Sequence, residues 1–291
     1  MTSINKFLTL SFSGAGHLLP YHLGVASTIH KHYLRAPSLS SSESLRPSPP
    51  KAISGSSSGA IAATVYCLFP NRIEEYAERF IESRGRAMSH LLEMMSENEI
   101  KFNNTSRASL HIATTRCSNG TLQLFDFPFP ETENNPQSLQ QVSQHLIKCL
   151  EASCKIPDHF HPFDVLPNSR WTSPSTYPEQ DGVVINGDSY VDGGIAAPAP
   201  PTPLDSKEGA IRVVVSPISG GNNNYNDNTT IRISPEDRSW RLLPMDIQCR
   251  GGFSIRPSVQ NVRALQVAAG IGSSSVLRDW FDRGMDDAGE A

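Results

Sequence analysis

The sequence has no run of about 18 apolar residues, so no segment is long enough to cross a membrane as a helix. The opening hydrophobic stretch, within residues 1–17, is shorter than the apolar region of a secretory signal and lacks a small-residue cleavage site. Basic residues do not predominate either. Lys and Arg number 25 against 29 Asp and Glu, and this net charge of −4 argues against nucleic-acid binding and against a strongly basic membrane-docking face. These absences predict a soluble cytoplasmic protein.

Cysteine is also scarce, since the 291 residues contain only five and no Cys-x-x-Cys pair. An odd number of cysteines without metal-ligand spacing predicts reduced thiols in an intracellular compartment, and no zinc site. The five are Cys67, Cys117, Cys149, Cys154 and Cys249.

Strand and helix patterns alternate along the chain, which predicts an α/β fold. Alternating apolar residues at 7–12 and a branched apolar run at 210–218 indicate strands, and Asn-Gly pairs at 119–120 and 186–187 predict two hairpins. No repeat or compelling boundary divides the chain, so we expect one domain. The Ser/Pro-rich stretch at 36–51 is expected to be an exposed insertion. Helices are expected from residue 58, over 71–100 with a break near Gly85, over 138–157 and over most of 259–284.

The stretch GSSSG at 55–59 allows two interpretations, a flexible linker or a sharp strand-to-helix turn. A short strand pattern precedes it at 52–53, and an apolar, helix-favouring run follows at 60–66. A linker does not run directly into an apolar helix. The spacing Gly-x-Ser-x-Gly is that of a nucleophile elbow, in which a helix start directs N–H groups toward the central serine. Ser57 is therefore the candidate nucleophile. The other elbow residues are Gly55, Ser58 and Gly59.

The base that would activate Ser57 is less evident, because the last histidine in the chain is His161. A Ser, acid, His order along the chain therefore cannot be satisfied. Asp192 is a candidate, since it ends a hairpin strand and precedes two glycines that free the backbone to turn. Asp192 could also belong to a plain turn, and five histidines stay possible partners in another order. The glycines are Gly193 and Gly194, and the histidines are His90, His111, His145, His159 and His161.

Gly14, Ala15 and Gly16 lie between the first strand pattern and a helical pattern. Consecutive backbone N–H groups in such a loop could stabilise a developing oxyanion. A dinucleotide-binding fingerprint is excluded, because Leu19 occupies the third glycine position and the only nearby acidic residue is Glu43 in the insertion. A phosphate-binding P-loop is excluded because no Gly-Lys-Ser/Thr follows.

The glycine-rich loop, the Gly-x-Ser-x-Gly elbow and the Asp-Gly-Gly segment, in this order, resemble the patatin-like phospholipase family. Within that family the chain is most similar to the adipose triglyceride lipase and adiponutrin branch. The similar segments are SFSGAGHLLPYHLGVAS at 11–27, YVDGGIAAPAP at 190–200 and VVVSPISG at 213–220. The resemblance runs from about residue 8 to residue 284. It implies one patatin-like domain within 1–291, a three-layer α/β/α sandwich with a mostly parallel central sheet.

The resemblance further implies a Ser57–Asp192 dyad without histidine, an acyl-enzyme intermediate, an oxyanion loop at 14–16, and no metal or other cofactor. The implied substrates are acylglycerols, either triacylglycerols or phospholipids. The protein would then bind peripherally at a membrane or lipid-droplet surface. Residues 14–24 contain no Lys or Arg to meet a phosphate, which favours neutral acylglycerols. Two alternatives stay open: a transacylase of the same fold acting on acylglycerols or lysophospholipids, and a catalytically silent lipid-binding regulatory protein.

Overall fold

The computed structural model describes residues 6–35, 49–97, 108–127, 136–158, 160, 165–166, 177–220 and 229–291. The strands are β1 (Phe7–Phe12), β2 (Ala52–Ser56), β3 (Ser109–Arg116), β4 (Leu122–Phe127), β5 (Val183–Ile185), β6 (Asp188–Asp192), β7 (Ala210–Val215), β8 (Thr230–Ile233), β9 (Ile247–Gln248) and β10 (Ser254–Ile255). The helices are α1 (Leu19–Arg35), α2 (Ser58–Leu68), α3 (Ile73–Ser83), α4 (Ala87–Glu97), α5 (Pro136–Ser153), α6 (Gly193–Ala196), α7 (Val259–Ala268) and α8 (Ser274–Glu290).

Eight of the described strands form one sheet in the order β5-β6-β3-β2-β1-β7-β8, with β4 also paired to β3. The central strands β3, β2, β1, β7 and β8 run parallel to one another. The pairs β3–β4, β5–β6 and β3–β6 are antiparallel, and β9 and β10 form a separate two-stranded sheet. The predicted fold class, an α/β/α sandwich with a mostly parallel central sheet, is confirmed.

The elements around the serine turn are buried, as expected for parallel strands covered by helices. All five residues of β2 are buried, as are the last four of β1. Helix α2 has no charged residue, and ten of its eleven residues are buried. A helix that is apolar on every side belongs in a core. The serine turn is therefore flanked on both sides by buried elements.

Local turn signals in the sequence predict the chain reversals correctly. Asn186 and Gly187 both have positive φ, 51° and 89°, as a two-residue hairpin turn requires, and Gly120 has φ 66°. The predicted break near Gly85 is confirmed, because Arg84 ends α3 in the left-handed region and Gly85 has φ 128°.

Two predictions lie partly or wholly beyond what the structure tests. Most of the expected insertion, residues 36–48, falls outside the described residues. The expectation of a single domain stays a prediction. Among the helices described, none combines the length and the hydropathy that a membrane-spanning segment requires.

The carboxyl ends of parallel strands meet at one edge of a sheet, and ligands of α/β proteins bind there. We call this edge the carboxyl edge. The glycine loop, residues 14–16, follows β1 at this edge, and Ser57 follows β2. Strand β6 runs antiparallel to β3 and ends with Asp192 opposite Thr114, near the carboxyl end of β3. The three predicted site segments therefore lie at the carboxyl edge.

Candidate active site

Ser57 joins β2 to α2 in a backbone conformation that residues other than glycine rarely adopt, with φ 52° and ψ −130°. The flanking glycines are required by space. A Cβ atom at Gly55 would lie 2.2 Å from the carbonyl oxygen of Gly59, and one at Gly59 would lie 2.4 Å from the carbonyl oxygen of Phe12. The strand–turn–helix prediction is confirmed and the linker interpretation is wrong. The role of Ser57 as a nucleophile stays a prediction.

The strained turn is held by a residue that the sequence did not indicate. The backbone N–H of Ser57 donates to Oγ of Ser153, 2.9 Å away, at the end of α5. Ser153 is fully buried. Its 96-residue separation from Ser57 leaves no signal in spacing or motif.

The register of β3 explains how Asp192 comes next to the serine turn. Ala113 pairs with Ser56, the last residue of β2, and the following residue, Thr114, pairs with Asp192. Strand β4 pairs with both Ala113 and Thr114 and so occupies the other side of β3. Strand β6 therefore pairs with β3 on the same side as β2, at the residues that follow the last residue paired with β2. A Cβ atom at Gly193 would lie 2.1 Å from the carbonyl oxygen of Ala113, which explains why glycine follows Asp192.

The Ser57 side chain lies beside the carboxylate of Asp192 and lowers its pKa as a hydrogen-bond donor. The carboxylate is buried, and its Oδ1 also accepts the N–H of Gly194 at 2.7 Å. Burial raises the pKa of Asp192 to about 6, while the hydrogen bonds from Ser57 and Gly194 act to lower it. An aspartate with this pKa is ionised at neutral pH and accepts a proton more readily than an exposed aspartate does.

The main chain of Asp192 is also held by hydrogen bonds, through both its N–H and its carbonyl oxygen. Its N–H donates to the carbonyl oxygen of Lys155 at 2.8 Å. Its carbonyl oxygen accepts the hydroxyl of Thr115 at 2.7 Å, and the same hydroxyl oxygen accepts the N–H of Ala196 at 3.1 Å. Thr115 therefore links β3 to Asp192 and to the last residue of α6, a role that sequence reasoning missed.

The glycine loop lies against the serine turn, because a Cβ atom at Gly14 would lie 3.5 Å from Cβ of Ser57. Two of its three predicted oxyanion donors already have acceptors. The N–H of Gly14 donates to the carbonyl oxygen of Pro198 at 2.8 Å, and that of Ala15 donates to Oγ of Ser58 at 3.1 Å. The N–H of Gly16 has no acceptor among the described residues, and Gly16 is exposed with φ 53°.

Buried serines connect the strands to the loop that follows the Asp-Gly-Gly turn. Ser54 donates its hydroxyl to the carbonyl oxygen of Pro200 at 2.7 Å, and Ser56 donates to that of Pro198 at 2.9 Å. Ser11 also donates to Pro200, at 2.6 Å. Serines at alternate positions of an otherwise apolar strand are the sequence signal for such bonds. Their partners lie more than 140 residues away and could not be identified from the sequence.

In the part of the chain that the structure describes, no histidine hydrogen-bonds Ser57 or Asp192. His111 contacts Asp126 at 2.5 Å, and His90 contacts Ser83 at 2.9 Å. His145 approaches Sγ of Cys149 at 3.8 Å. His159 and His161 lie outside the described residues. Across the described segments, no group of three His, Cys, Asp or Glu side chains is arranged to hold a metal ion.

Comparison with known proteins agrees with the motifs. The family profile described as patatin-like phospholipase matches residues 10–205, which include all the predicted site residues. Human patatin-like phospholipase domain-containing protein 4 is 24% identical over 285 residues, covering 97% of this chain and 95% of the human protein. Among solved structures, VipD from Legionella pneumophila is 11% identical with a TM-score of 0.40, covering 99% of this chain and 67% of that one. Because the family profile spans more than half of the sequence, the chain belongs to the patatin-like phospholipase family.

Proposed function

We propose that this protein hydrolyses carboxylic esters of acylglycerols, with Ser57 as the nucleophile and Asp192 as the general base. Family membership supports lipid acyl hydrolysis in general. The observation that carries the residue assignment is that a serine on a strained strand-to-helix turn lies beside a buried carboxylate and acts on its pKa as a hydrogen-bond donor. A serine hydroxyl is a weak nucleophile unless an adjacent base takes its proton.

In the proposed reaction, Oγ of Ser57 attacks the ester carbonyl carbon while its proton passes to the Asp192 carboxylate. The tetrahedral intermediate then collapses, the alcohol leaves with the proton from Asp192, and an acyl-serine remains. Water activated by the same carboxylate hydrolyses the acyl-serine, releases the fatty acid and restores Ser57. The raised pKa of Asp192, about 6, suits both the acceptance and the return of the proton.

The oxyanion needs N–H donors that have no other acceptor. Gly14 and Ala15 donate within the fold, which leaves Gly16 as the available donor of the loop. The N–H of Ser58, at the start of α2, also has no acceptor among the described residues. A helix start carries partial positive charge, so it favours a negative oxygen. We assign the oxyanion contacts to Gly16 and Ser58, with Gly14 and Ala15 shaping the loop.

The lack of positively charged residues in and beside the glycine loop favours neutral acylglycerols over phospholipids. The loop and the first turns of α1, residues 14–24, contain no Lys or Arg. Of the two histidines in this stretch, His22 is fully buried and bonded to the carbonyl oxygen of Ser13 at 2.8 Å. Burial lowers the pKa of His22 to about 4, so it is uncharged at neutral pH. Only His17 remains to meet a phosphate, which supports triacylglycerol lipase activity.

Two substitutions test the dyad. Ser57→Ala and Asp192→Asn should each lower the release of fatty acid from an emulsified triacylglycerol by about a thousandfold or more, with unchanged far-ultraviolet circular dichroism. Asp188→Asn is the matched control, because Asp188 lies on the same strand but is about half exposed. Wild-type rates in the folded variants would falsify the dyad.

The same proteins separate the two alternatives. A fluorophosphonate probe should label wild-type protein and fail to label Ser57→Ala, whereas a catalytically silent regulator would not be labelled at all. Adding monoacylglycerol or lysophospholipid as an acceptor should leave free fatty acid as the main product. If acyl transfer to the acceptor exceeds hydrolysis, the protein is a transacylase that uses the same dyad.

A further inference from the structure

We propose that residues 240–247, WRLLPMDI, form the surface by which this protein docks on a phospholipid-covered lipid surface. We call this segment the apolar loop. The choice of a lipid surface as partner rests on the proposed function, since an acylglycerol hydrolase must reach esters held in a membrane or droplet. The docking itself is a separate property with its own measurements.

The apolar loop exposes side chains that a soluble fold normally buries. Trp240 is 86% exposed and Met245 is 71% exposed, although Trp and Met usually lie inside a protein. Three more large apolar residues of the same eight-residue segment are each more than a third exposed. They are Leu242, Leu243 and Ile247. A concentration of this kind on one short segment indicates an interaction surface.

The loop is attached to the fold by backbone hydrogen bonds, so these side chains are presented on a defined segment. The N–H of Leu242 donates to the carbonyl oxygen of Pro257 at 2.7 Å, and the N–H of Val259 donates to that of Trp240 at 3.1 Å. Within the loop, the guanidinium of Arg241 donates to the carbonyl oxygen of Pro244 at 3.0 Å.

The elements beside the apolar loop pack on the carboxyl edge, where Ser57 and Asp192 lie. The N–H of Arg256 donates at 2.8 Å to the carbonyl oxygen of Ser219, just beyond the end of β7. A Cβ atom at Gly251 would lie 3.3 Å from Cα of Ala197, five residues after Asp192. A lipid surface in contact with the apolar loop would therefore lie at the side of the molecule that carries the candidate active site.

Helix α7 extends the exposed apolar surface from the loop toward the glycine loop. It begins beside Trp240 and exposes Val262 and Leu265. Its other end contacts the glycine loop, because a Cβ atom at Gly16 would lie 2.3 Å from the carbonyl oxygen of Ala268. Apolar side chains are thus exposed along an element that reaches the proposed oxyanion donor.

The two charged residues of the apolar loop pair with each other, which indicates insertion into a lipid surface without electrostatic attraction to anionic lipid. Arg241 pairs with Asp246 at 3.5 Å, and Arg238 pairs with Glu236 at 2.7 Å. The whole chain carries a net charge of −4. Trp favours the boundary between lipid headgroups and acyl chains, because it has an apolar ring and a polar N–H. The fitting partner is therefore a zwitterionic phospholipid surface.

Flotation with phosphatidylcholine vesicles tests the proposal in a Ser57→Ala background, in which binding does not depend on catalysis. The double variant Leu242→Ser/Leu243→Ser should partition about tenfold or more weakly, because two apolar side chains no longer enter the lipid. The control is Val184→Ser/Ile231→Ser, which removes two similarly exposed apolar residues at the two ends of the sheet and should bind like the parent protein. Equal binding by all three proteins overturns the proposal.

Tryptophan fluorescence gives an independent test, which uses a conservative substitution that should leave the fold intact. Vesicles should shift the emission of the parent protein to shorter wavelength, and the shift should vanish in Trp240→Phe, which keeps the other tryptophans. A shift that persists in Trp240→Phe overturns the proposal. So does binding that requires anionic lipid and is lost at high salt.

Sedimentation velocity distinguishes a lipid surface from a second copy of the chain. A dimer that is lost in the Leu242→Ser/Leu243→Ser protein, together with no vesicle binding by the parent, would show that the loop is a protein interface and overturn the proposal.

The proposed catalytic activity is measured separately, as hydrolysis of a soluble short-chain ester. Absence of its hydrolysis by the wild type would reject the proposed function and leave the vesicle result standing.

Discussion

At the residue scale, Asp192 combines two properties that oppose each other. Burial raises its pKa to about 6 and so makes it a better proton acceptor. The same burial makes the ionised form costly, because a charge taken out of water loses solvation. Hydrogen bonds from Ser57 and Gly194 offset only part of this cost, since the pKa stays raised. Activity and stability should therefore conflict at this residue.

Asp192→Asn should stabilise the fold near pH 8, and the gain should shrink toward pH 4. In the wild type, the folded-state pKa of about 6 exceeds the ordinary value of 3.8, so the folded protein holds the proton more tightly than the unfolded chain. The stabilising contribution of this group is fully present below the ordinary pKa of 3.8. It is lost as pH rises through the folded-state pKa of about 6. Asparagine carries no charge and still offers an oxygen to Gly194. The expected gain near pH 8 is on the order of 1–3 kcal/mol.

Thermal unfolding followed by circular dichroism between about pH 4 and pH 8 measures this effect. Asp188→Asn makes the same chemical change at an exposed position, so its melting temperature should follow the wild type at every pH. A difference between Asp192→Asn and wild type that does not vary with pH would contradict the assigned cause.

Residue-level prediction from the sequence succeeded where the residue types of a motif require a particular backbone conformation. Gly-x-Ser-x-Gly predicts the turn at Ser57, and Asp-Gly-Gly predicts that the chain turns after Asp192. The sequence could not predict Ser153 or Thr115, because their hydrogen-bond partners at the site lie more than 70 positions away. It also could not show that Gly14 and Ala15 donate within the fold, since backbone acceptors leave no residue signature.

At the element scale, the serine turn depends on three elements. Strand β2 and helix α2 flank it, and α5 supplies the acceptor for the Ser57 N–H. A non-glycine residue at φ 52° and ψ −130° persists only when its surroundings hold it there. The end of α5 is one of those supports.

Ser153→Ala should lower kcat by about tenfold while KM changes little. The substitution leaves the buried N–H of Ser57 without an acceptor, at a cost of about 1–3 kcal/mol, and lets the turn relax away from the orientation that brings Oγ to Asp192. The initial rate of ester hydrolysis at varied substrate concentration gives both constants.

Ser216→Ala is the control for this experiment. Ser216 is equally buried and its hydroxyl bonds the backbone of Ile218, but it follows β7 and makes no hydrogen bond to the serine turn. If Ser153→Ala and Ser216→Ala reduce kcat alike, the α5 contact has no special effect on the turn and contributes only to general stability.

Elements with strong local signals were predicted, and elements formed by tertiary contacts were not. Both Asn-Gly hairpins and the break near Gly85 depend on positive φ, which few residue types accept. The sequence predicted a strand only at 52–53, whereas β2 extends to Ser56. Its polar serines lie in the strand because prolines of a distant loop accept their hydroxyls. Strands β8, β9 and β10 have two to four residues each, too few for any periodic pattern.

At the scale of the whole molecule, the strand order itself was beyond sequence reasoning. No local sequence pattern indicates that β6 pairs with β3 on the same side as β2, just beyond the end of β2. This register nevertheless brings Asp192 next to Ser57. The alternation of strands and helices predicts an α/β class, and the family resemblance supplied the sandwich architecture. The pairing of strands depends on packing across the entire sheet.

The first and last described helices hold each other through a close backbone contact. A Cβ atom at Gly24 in α1 would lie 2.1 Å from the carbonyl oxygen of Phe281 in α8, and one at Gly284 in α8 would lie 2.2 Å from that of Tyr21 in α1. The hydroxyl of Tyr21 also donates to Asp287 at 2.8 Å. Because α1 begins at Leu19, three residues after the glycine loop ends, we expect α8 to support the proposed oxyanion loop from the far end of the sequence.

Gly284→Ala should therefore lower the free energy of unfolding by about 1–3 kcal/mol, because the new methyl group forces the two helices apart. Gly289→Ala is the matched control on the same helix, where a Cβ atom would meet nothing within 4 Å. Alanine favours helix over glycine, so this control should be unchanged or slightly more stable. Urea unfolding followed by circular dichroism measures both variants. Equal stability of the two would mean that α1 and α8 can separate without cost, and the support of the glycine loop by α8 would have to be abandoned.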